Sequence, residues 1–308
     1  MPQTAVVIVN YHSQELVCRC LASLKQHCRQ PLHYFVVDNS TPPEHSLIAA
    51  QHSDAEIISP GRNLGFAGGC NLGIAKALVA QSEFILLLNP DAWAENDFLT
   101  ILMSVLRGHP ELGAVGPMIR HGDGTGRLWN GGGRLNWWAG GTRRIIQPGP
   151  GDGQSIPVDF LSGCAMLLRS EAVRQAGPLT AEYFLYFEDT DYVQSLLRAG
   201  WQVAYVPSAV VLHDPSSTTG MQSKNYVYYF SRNRVWFMRR WARWNHYLVF
   251  LIYNTLVKLP GAVIVFGLQR RQPELVLAYF KGYWDGITGY KISKSFTRNE
   301  KGSSISEM

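Results

Sequence analysis

The chain has 308 residues, 46% hydrophobic and 17% charged, so it can bury a sizeable core and global disorder is excluded. The net charge of +5 is uneven: residues 1–219 carry 14 Lys/Arg and 19 Asp/Glu, whereas residues 220–308 carry 14 and 4, which implies a body and a basic appendage that meets an anionic partner. Five cysteines (Cys18, Cys20, Cys28, Cys70 and Cys164) with no C-x-x-C pair, and a start without the pattern of a secretory leader, predict reduced thiols in a cytosolic compartment.

Ala5–Asn10 is a continuous apolar, β-branched run, as expected of a parallel strand buried on both faces. A helix over Gln14–Gln26 follows, then strands at Tyr34–Asp38 and Glu56–Ser59. A helix over Gly68–Ala80 is entered through a Gly-rich turn. Phe84–Leu88 is a further strand, Asp97–Arg107 a helix and Ala114–Gly116 a short strand. Strands alternating with helices predict βαβ units in a mostly parallel, Rossmann-like α/β sheet covered on both faces. Residues 121–157 are Gly-rich with embedded Trp129, Trp137, Trp138, Arg143 and Arg144, too long for a plain connector, and are expected to form a mobile or functional loop. Regular structure resumes over Val158–Arg169, followed by helices at Ser170–Gln175 and Asp191–Ala199 and a strand at Gln202–Val206.

Beyond residue 220 the character changes. On a helical wheel Arg232, Arg239, Arg240 and Arg243 fall opposite Phe230, Phe237, Trp241 and Trp244. Tyr247–Leu268 is apolar but interrupted by Asn254, Lys258 and Pro260-Gly261. Each uninterrupted piece is shorter than the roughly 20 residues of a spanning helix. The expectation is an interfacial helix pair or shallow re-entrant hairpin on an anionic membrane surface. A true span, a helical cap on the body and a dimer contact are the alternatives, and a homo-oligomer is left open.

In a doubly wound sheet, ligands bind beyond the carboxyl ends of the strands. Polar residues stand there: Asn10-Tyr11-His12, Asp38-Asn39-Ser40 and Asn89-Pro90-Asp91. The absence of G-x-G-x-x-G after the first strand argues against a dinucleotide. Arg62-Asn63-Leu64-Gly65, continuing into Gly68-Gly69, offers close backbone approach, a helix N-terminus suited to an anion and a cation. Asp91 can hold a hard divalent cation on a diphosphate, and His213 can complete that shell. In Glu182–Tyr192, Glu188, Asp189 and Asp191 follow an aromatic run, a setting that perturbs a carboxyl pKa as a hydroxyl-activating base requires.

The ordered set VVIVNYHS, VVDNS, RNLGFAGGCN, LLLNPDAW, FLSGCAMLLR, YFLYFEDTDY and VLHDP resembles the family 2 glycosyltransferases of GT-A fold, most closely a bacterial rhamnosyltransferase-like branch that builds O-antigen, capsule or cell-wall glycans. The motifs cover roughly residues 4–215. The resemblance implies a catalytic domain over 1–219 and a membrane-associating helical tail over 220–308. It implies that Asp189 is the catalytic base, that Asp38 contacts the nucleobase, and that Asn10, Tyr11, Arg62, Asn63, Gly65, Asn89, Asp91 and Gly163 line the nucleotide-sugar site. Asp91 and His213 become ligands of Mg2+ or Mn2+, with Asn89 standing where the family's D-x-D motif has its first acid. Glu188, Asp191 and Trp138 are expected at the acceptor, with helix capping the alternative for Asp191 and loop anchoring that for the tryptophans.

The implied reaction is inverting transfer of a sugar, L-rhamnose from dTDP-rhamnose being the leading choice, to a glycan or polyprenyl-diphosphate-linked acceptor. UDP-galactofuranose, UDP-N-acetylglucosamine and UDP-glucose are alternative donors. The implied location is the cytoplasmic face of the inner membrane, peripheral or monotopic. A nucleic-acid binder is disfavoured because the basic tail is rich in Trp and Leu and carries no nucleic-acid module. A non-catalytic scaffold is disfavoured by the presence of Asp91, Asp189 and His213.

Overall fold

A computed structural model describes residues 4–145, 155–214 and 223–289. In chain order the first half comprises β1 (Thr4–Asn10), α1 (Gln14–His27), β2 (Leu32–Asp38), α2 (Ser46–Gln51), β3 (Ala55–Ile58), α3 (Gly65–Val79), β4 (Phe84–Leu88), β5 (Ala92–Trp93), α4 (Phe98–Gly108) and β6 (Leu112–His121). Then follow β7 (Leu128–Asn130), β8 (Gly133–Asn136), β9 (Gly141–Arg144), β10 (Ile156–Pro157), β11 (Ala165–Arg169), α5 (Ser170–Ala176), α6 (Glu188–Arg198) and β12 (Gln202–His213). The C-terminal region comprises α7 (Lys224–Trp241), a long helix α8 (Trp244–Gln269) and α9 (Pro273–Thr288).

The main sheet runs β3-β2-β1-β4-β11-β6-β12-β10. β3, β2, β1 and β4 are mutually parallel, and β12 is parallel to β6. β11 lies antiparallel to both β4 and β6. The reversal of β11 brings its amino end to the edge where β1, β2, β4, β6 and β12 end, so Asn10, Asp38, Asn89, Gly163 and His213 share one rim.

Alternation along the strands divides the core. Val6, Ile8, Phe84, Leu86 and Leu88 pack under α1, α2 and α4, while Val7, Val9, Ile85 and Leu87 pack under α3, α5 and α6. Both faces are covered, which is why these strands are apolar throughout. A third cluster joins Tyr183 and Phe187 to Val235, Trp236, Phe237 and Met238 of α7, Phe250 of α8 and Tyr283 of α9.

Several elements differ from expectation. β12 does not stop at Val206 but continues past Pro207 to His213 through a register shift against β6 between Val206 and Val210. Such an irregularity lets a strand accommodate proline. The described part of the Gly-rich stretch, to Ile145, is folded: β7 joins the main sheet and β8 pairs β9 as a hairpin. Residues 146–154 of the expected loop lie outside the described residues.

The tail also departs from the expected pair of short helices. Pro260-Gly261 does not break α8, because wide turns over Asn254–Lys258 and Val263–Gln269 carry the chain past the missing proline N–H. The resulting 26-residue helix is long and apolar enough to cross a membrane by length and composition. Leu248, Ile252, Leu256 and Leu268 are exposed along it. α7 does not lie at a surface with free arginines. Arg232 donates to Tyr183 O, Arg234 to Gly140 O and Arg240 to Asp191, so the helical-cap alternative describes α7.

Candidate active site

The rim begins with a network around Asp38, which is fully buried at the end of β2. Its Oδ1 accepts from Asn10 Nδ2 (3.0 Å) and Ser40 N (3.1 Å), and its Oδ2 from Glu44 N and His45 Nδ1 (both 2.7 Å). Burial alone would raise this carboxyl. The donors from His45, Ser40 and Glu44 outweigh it and hold the group below its ordinary value. Asn10 is equally committed, because its Oδ1 accepts from Ser13 N and Ser13 Oγ. Asp38 and Asn10 therefore fix the 40–45 loop, and a nucleobase N–H could reach Asp38 only by displacing one of these donors. Tyr11, half exposed beside them, is open for stacking.

The Gly-rich turn is built differently from a phosphate cradle. Gly65 N donates to Asn63 Oδ1 (2.8 Å) and Phe66 N to Phe184 O (2.8 Å), so the first amides of α3 already have partners. Gly65 has φ +72°, and a Cβ there would collide with the Phe184 carbonyl. Its function here is to seat the aromatic run, which corrects the anion-cradle reading. Arg62 remains exposed at the entrance.

Asp91 and His213 do meet. β5 pairs antiparallel with the end of β12, aligning Ala92 with His213, and His213 Nε2 lies 3.1 Å from Asp91 Oδ1 with both side chains buried. The edge of the Trp129 ring packs on the imidazole with centroids 4.5 Å apart. Asn89 sits at the same strand end, its N–H donating to Cys164 O (2.8 Å). Among the described residues, no group of three or more His, Cys, Asp or Glu could hold an ion alone. A carboxylate and an imidazole at this separation nevertheless fit a divalent cation that also takes diphosphate oxygens, since such an ion needs few protein donors.

The three acids of the aromatic run point three ways. Asp189, in the first turn of α6, accepts from Gly163 N at Oδ2 (3.0 Å) and from Thr190 N at Oδ1 (2.6 Å). Burial raises its pKa, and these amides oppose the rise. Glu188 is buried, with Oε2 lacking a hydrogen-bond partner among the described residues. Burial, then the neighbouring Asp189, pushes its carboxyl well above the ordinary range.

Asp191 is fully buried and accepts from Thr180 Oγ1, Tyr183 Oη, Arg240 Nη1 and Trp241 Nε1. It faces α7 and not an acceptor, which corrects the acceptor assignment, and it does not cap α6. Glu188 is likewise buried, near Cys70. Trp138 is half exposed with its ring edge on His246, whereas Trp137 stacks on Phe237 as a loop anchor.

One residue that shapes the site carried no clear signal in the sequence. Asn233 of α7, wholly buried, places Nδ2 within 2.9 Å of the carbonyls of Tyr183, Leu185 and Tyr186. It holds a bend in which Phe184, Tyr186 and Phe187 all have positive φ.

The profile of the family described as "Glycosyltransferase like family 2" matches residues 2–239. Among curated proteins, the chain is similar to an N-acetylglucosaminyl-diphospho-decaprenol L-rhamnosyltransferase of Mycobacterium tuberculosis, with 28% identity covering 72% of this chain and 79% of that protein. It is similar to the galactofuranosyltransferase GlfT1 of Mycolicibacterium smegmatis, with 29% identity covering 67% of this chain and 69% of that one. Among solved structures, GalNAc-T7 with UDP, GalNAc and Mn2+ superposes with a TM-score of 0.64 at 15% identity over 95% of this chain, which spans 58% of that longer protein. The mannosyltransferase PcManGT of Pyrobaculum calidifontis, in complex with GDP-Man and Mn2+, gives a TM-score of 0.57 at 13% identity over 94% of this chain and 88% of that one. At these identities the structural matches establish the GT-A fold alone.

Proposed function

Because the chain belongs to the glycosyltransferase-like family 2 and is a glycosyltransferase using a nucleotide-sugar donor, we propose that Asp189 is its base and that it transfers a single sugar with inversion to a hydroxyl of a lipid-linked glycan. The observation that carries this reading is the placement of Asp189. It is a partly accessible carboxyl group held by the Gly163 amide, on the rim that also bears Asp91 and His213.

In this mechanism one oxygen of Asp189 takes the proton of the acceptor hydroxyl while that hydroxyl oxygen bonds to the anomeric carbon. The bond from that carbon to the donor diphosphate breaks with its electron pair leaving on the phosphate oxygen. Attack from the face opposite the diphosphate inverts the anomeric centre. The Gly163 amide keeps the Asp189 carboxyl oriented towards that hydroxyl. Asp91 and His213 would hold Mg2+ or Mn2+, which supplies charge neutralisation to a departing diphosphate.

L-rhamnose is the preferred donor sugar, because the rhamnosyltransferase relative aligns with most of both chains. The galactofuranosyltransferase relative supports UDP-galactofuranose as the second reading. The relative named for a diphospho-decaprenol acceptor and the exposed apolar face of α8 together support peripheral or monotopic placement on the cytoplasmic membrane face. A panel of dTDP- and UDP-sugars with Mg2+ or Mn2+, scored by thermal shift and donor hydrolysis, tests the class and the donor. Binding of dTDP-rhamnose supports the first reading, and selective response to UDP-galactofuranose replaces it with the second.

A further inference from the structure

We infer that Arg144 is the protein cation that receives the donor's diphosphate, a role that rests on the glycosyltransferase reading of the site. Arg144 closes the β8–β9 hairpin, pairing with Gly133. Its guanidinium stands over the ring of Trp129, 5.6 Å from the centroid, and the same indole packs its edge on His213. One aromatic side chain therefore separates Arg144 from the Asp91–His213 pair. The neighbouring Arg143 pairs with Arg134 and, by strand alternation, presents to the opposite face of the hairpin.

The hairpin is fixed to the catalytic machinery and does not hang free. Gly133 N donates to Phe160 O (3.0 Å) and Leu135 N to Asp159 Oδ1 (2.7 Å), while Gln194 Nε2 of α6 donates to Asp159 O (2.9 Å). Asp159 thus bridges the hairpin to α6, the helix that carries Asp189. Arg144 is exposed and, among the described residues, makes no ion pair or hydrogen bond through its side chain. A cation held by its backbone, lying over an indole and without an ion-pair partner among the described residues suits a phosphate contact. Arg144 is also close enough to Asp189 and Tyr226 to lower the pKa of both against the rise caused by burial. The charged or titratable groups facing Asp189 are Glu188, Cys164 and Arg144.

The test uses full-length protein with Arg144→Ala and Arg144→Lys. Binding of dTDP and UDP is measured by calorimetry, with steady-state kinetics across pH. The expectation for Arg144→Ala is loss of about 10–100-fold in nucleoside diphosphate affinity, the scale of a lost charged contact, an unchanged melting temperature, and an acid limb of kcat/KM displaced to higher pH. Arg144→Lys should recover part of the affinity. Unchanged diphosphate affinity with a raised acceptor KM would assign Arg144 to an acceptor phosphate and overturn the inference. A wild-type protein that binds no nucleoside diphosphate would overturn the glycosyltransferase reading itself, and this inference with it.

Discussion

The indole Nε1 of Trp241 donates to Oδ1 of Asp191 across 2.6 Å, joining the last turn of α7 to the first turn of the helix that carries Asp189. Arg240 adds its guanidinium to the other carboxylate oxygen (3.3 Å). Helix α7 is therefore part of the frame of the site.

Asp191→Ala should leave Arg240, Trp241, Tyr183 and Thr180 without their common acceptor. The expected loss of stability is about 3–5 kcal/mol, typical of a broken buried ion pair, and chemical denaturation measures it. A loss below about 1 kcal/mol, typical of exposed pairs, would show that the contact contributes little to the frame.

Asp189→Asn removes the proton acceptor but preserves shape. Turnover should fall by about 10²–10⁴-fold, the usual contribution of a general base, while nucleotide affinity changes little. In the wild type, activity should decline on acidification at a pH above the ordinary carboxylate range, because burial raises the Asp189 pKa. Parallel loss of donor binding in the variant would remove the base assignment.

Glu188 gives a stability prediction with a definite sign. Its pKa is raised in the folded state by burial and by Asp189, so the folded protein binds that proton more tightly than the unfolded chain. The associated stability is complete below the ordinary carboxyl pKa and is lost as pH climbs towards the folded value. Glu188→Gln should therefore raise the melting temperature relative to wild type, by a margin that widens with pH through that window. A constant margin across pH would mean that Glu188 is already ionised in the fold.

The exposed side of α8 predicts lipid-surface binding. Ile252→Lys and Leu256→Lys each remove roughly 2 kcal/mol of apolar transfer, and both positions are exposed. Sedimentation with anionic liposomes should fall steeply in the double variant while thermal stability holds. Undiminished sedimentation would move the membrane contact elsewhere.

His213→Ala should raise the Mn2+ concentration needed for half-maximal activity by about tenfold or more, as when a metal shell is disturbed. Dialysis against a chelator should affect wild type and variant alike.

The sequence made parts of this architecture legible because single physical causes determine them. Strands such as Ala5–Asn10 and Phe84–Leu88 are apolar throughout because helices cover both faces, and Asp91, Asp189 and His213 stand out as polar groups at strand and helix ends. The hairpin over residues 133–144 was hidden because its strands are short, rich in Gly and Arg, and have no apolar face to alternate. The direction of β11 was equally hidden, since an apolar run reads the same either way. The tail misled for a related reason: a helical face of Trp, Phe and Arg looks alike whether it meets lipid headgroups or, as in α7, the carbonyls of Tyr183 and Gly140. Glu188 and Asp191 could not be separated from Asp189 by composition, because only the rotation of α6 decides which acid meets solvent.

The bend at Phe184, Tyr186 and Phe187 holds three bulky residues at positive φ, a conformation that costs of order 1–3 kcal/mol at each position. Asn233 and the aromatic cluster on α7 keep it there. If α7 were loosened, the chain would relax locally, and the aim of the first turn of α6 would drift before any helix or strand melted. Damage far along the sequence would then yield a protein that is normal by circular dichroism and silent in assay, a failure that a search confined to the rim residues would not explain.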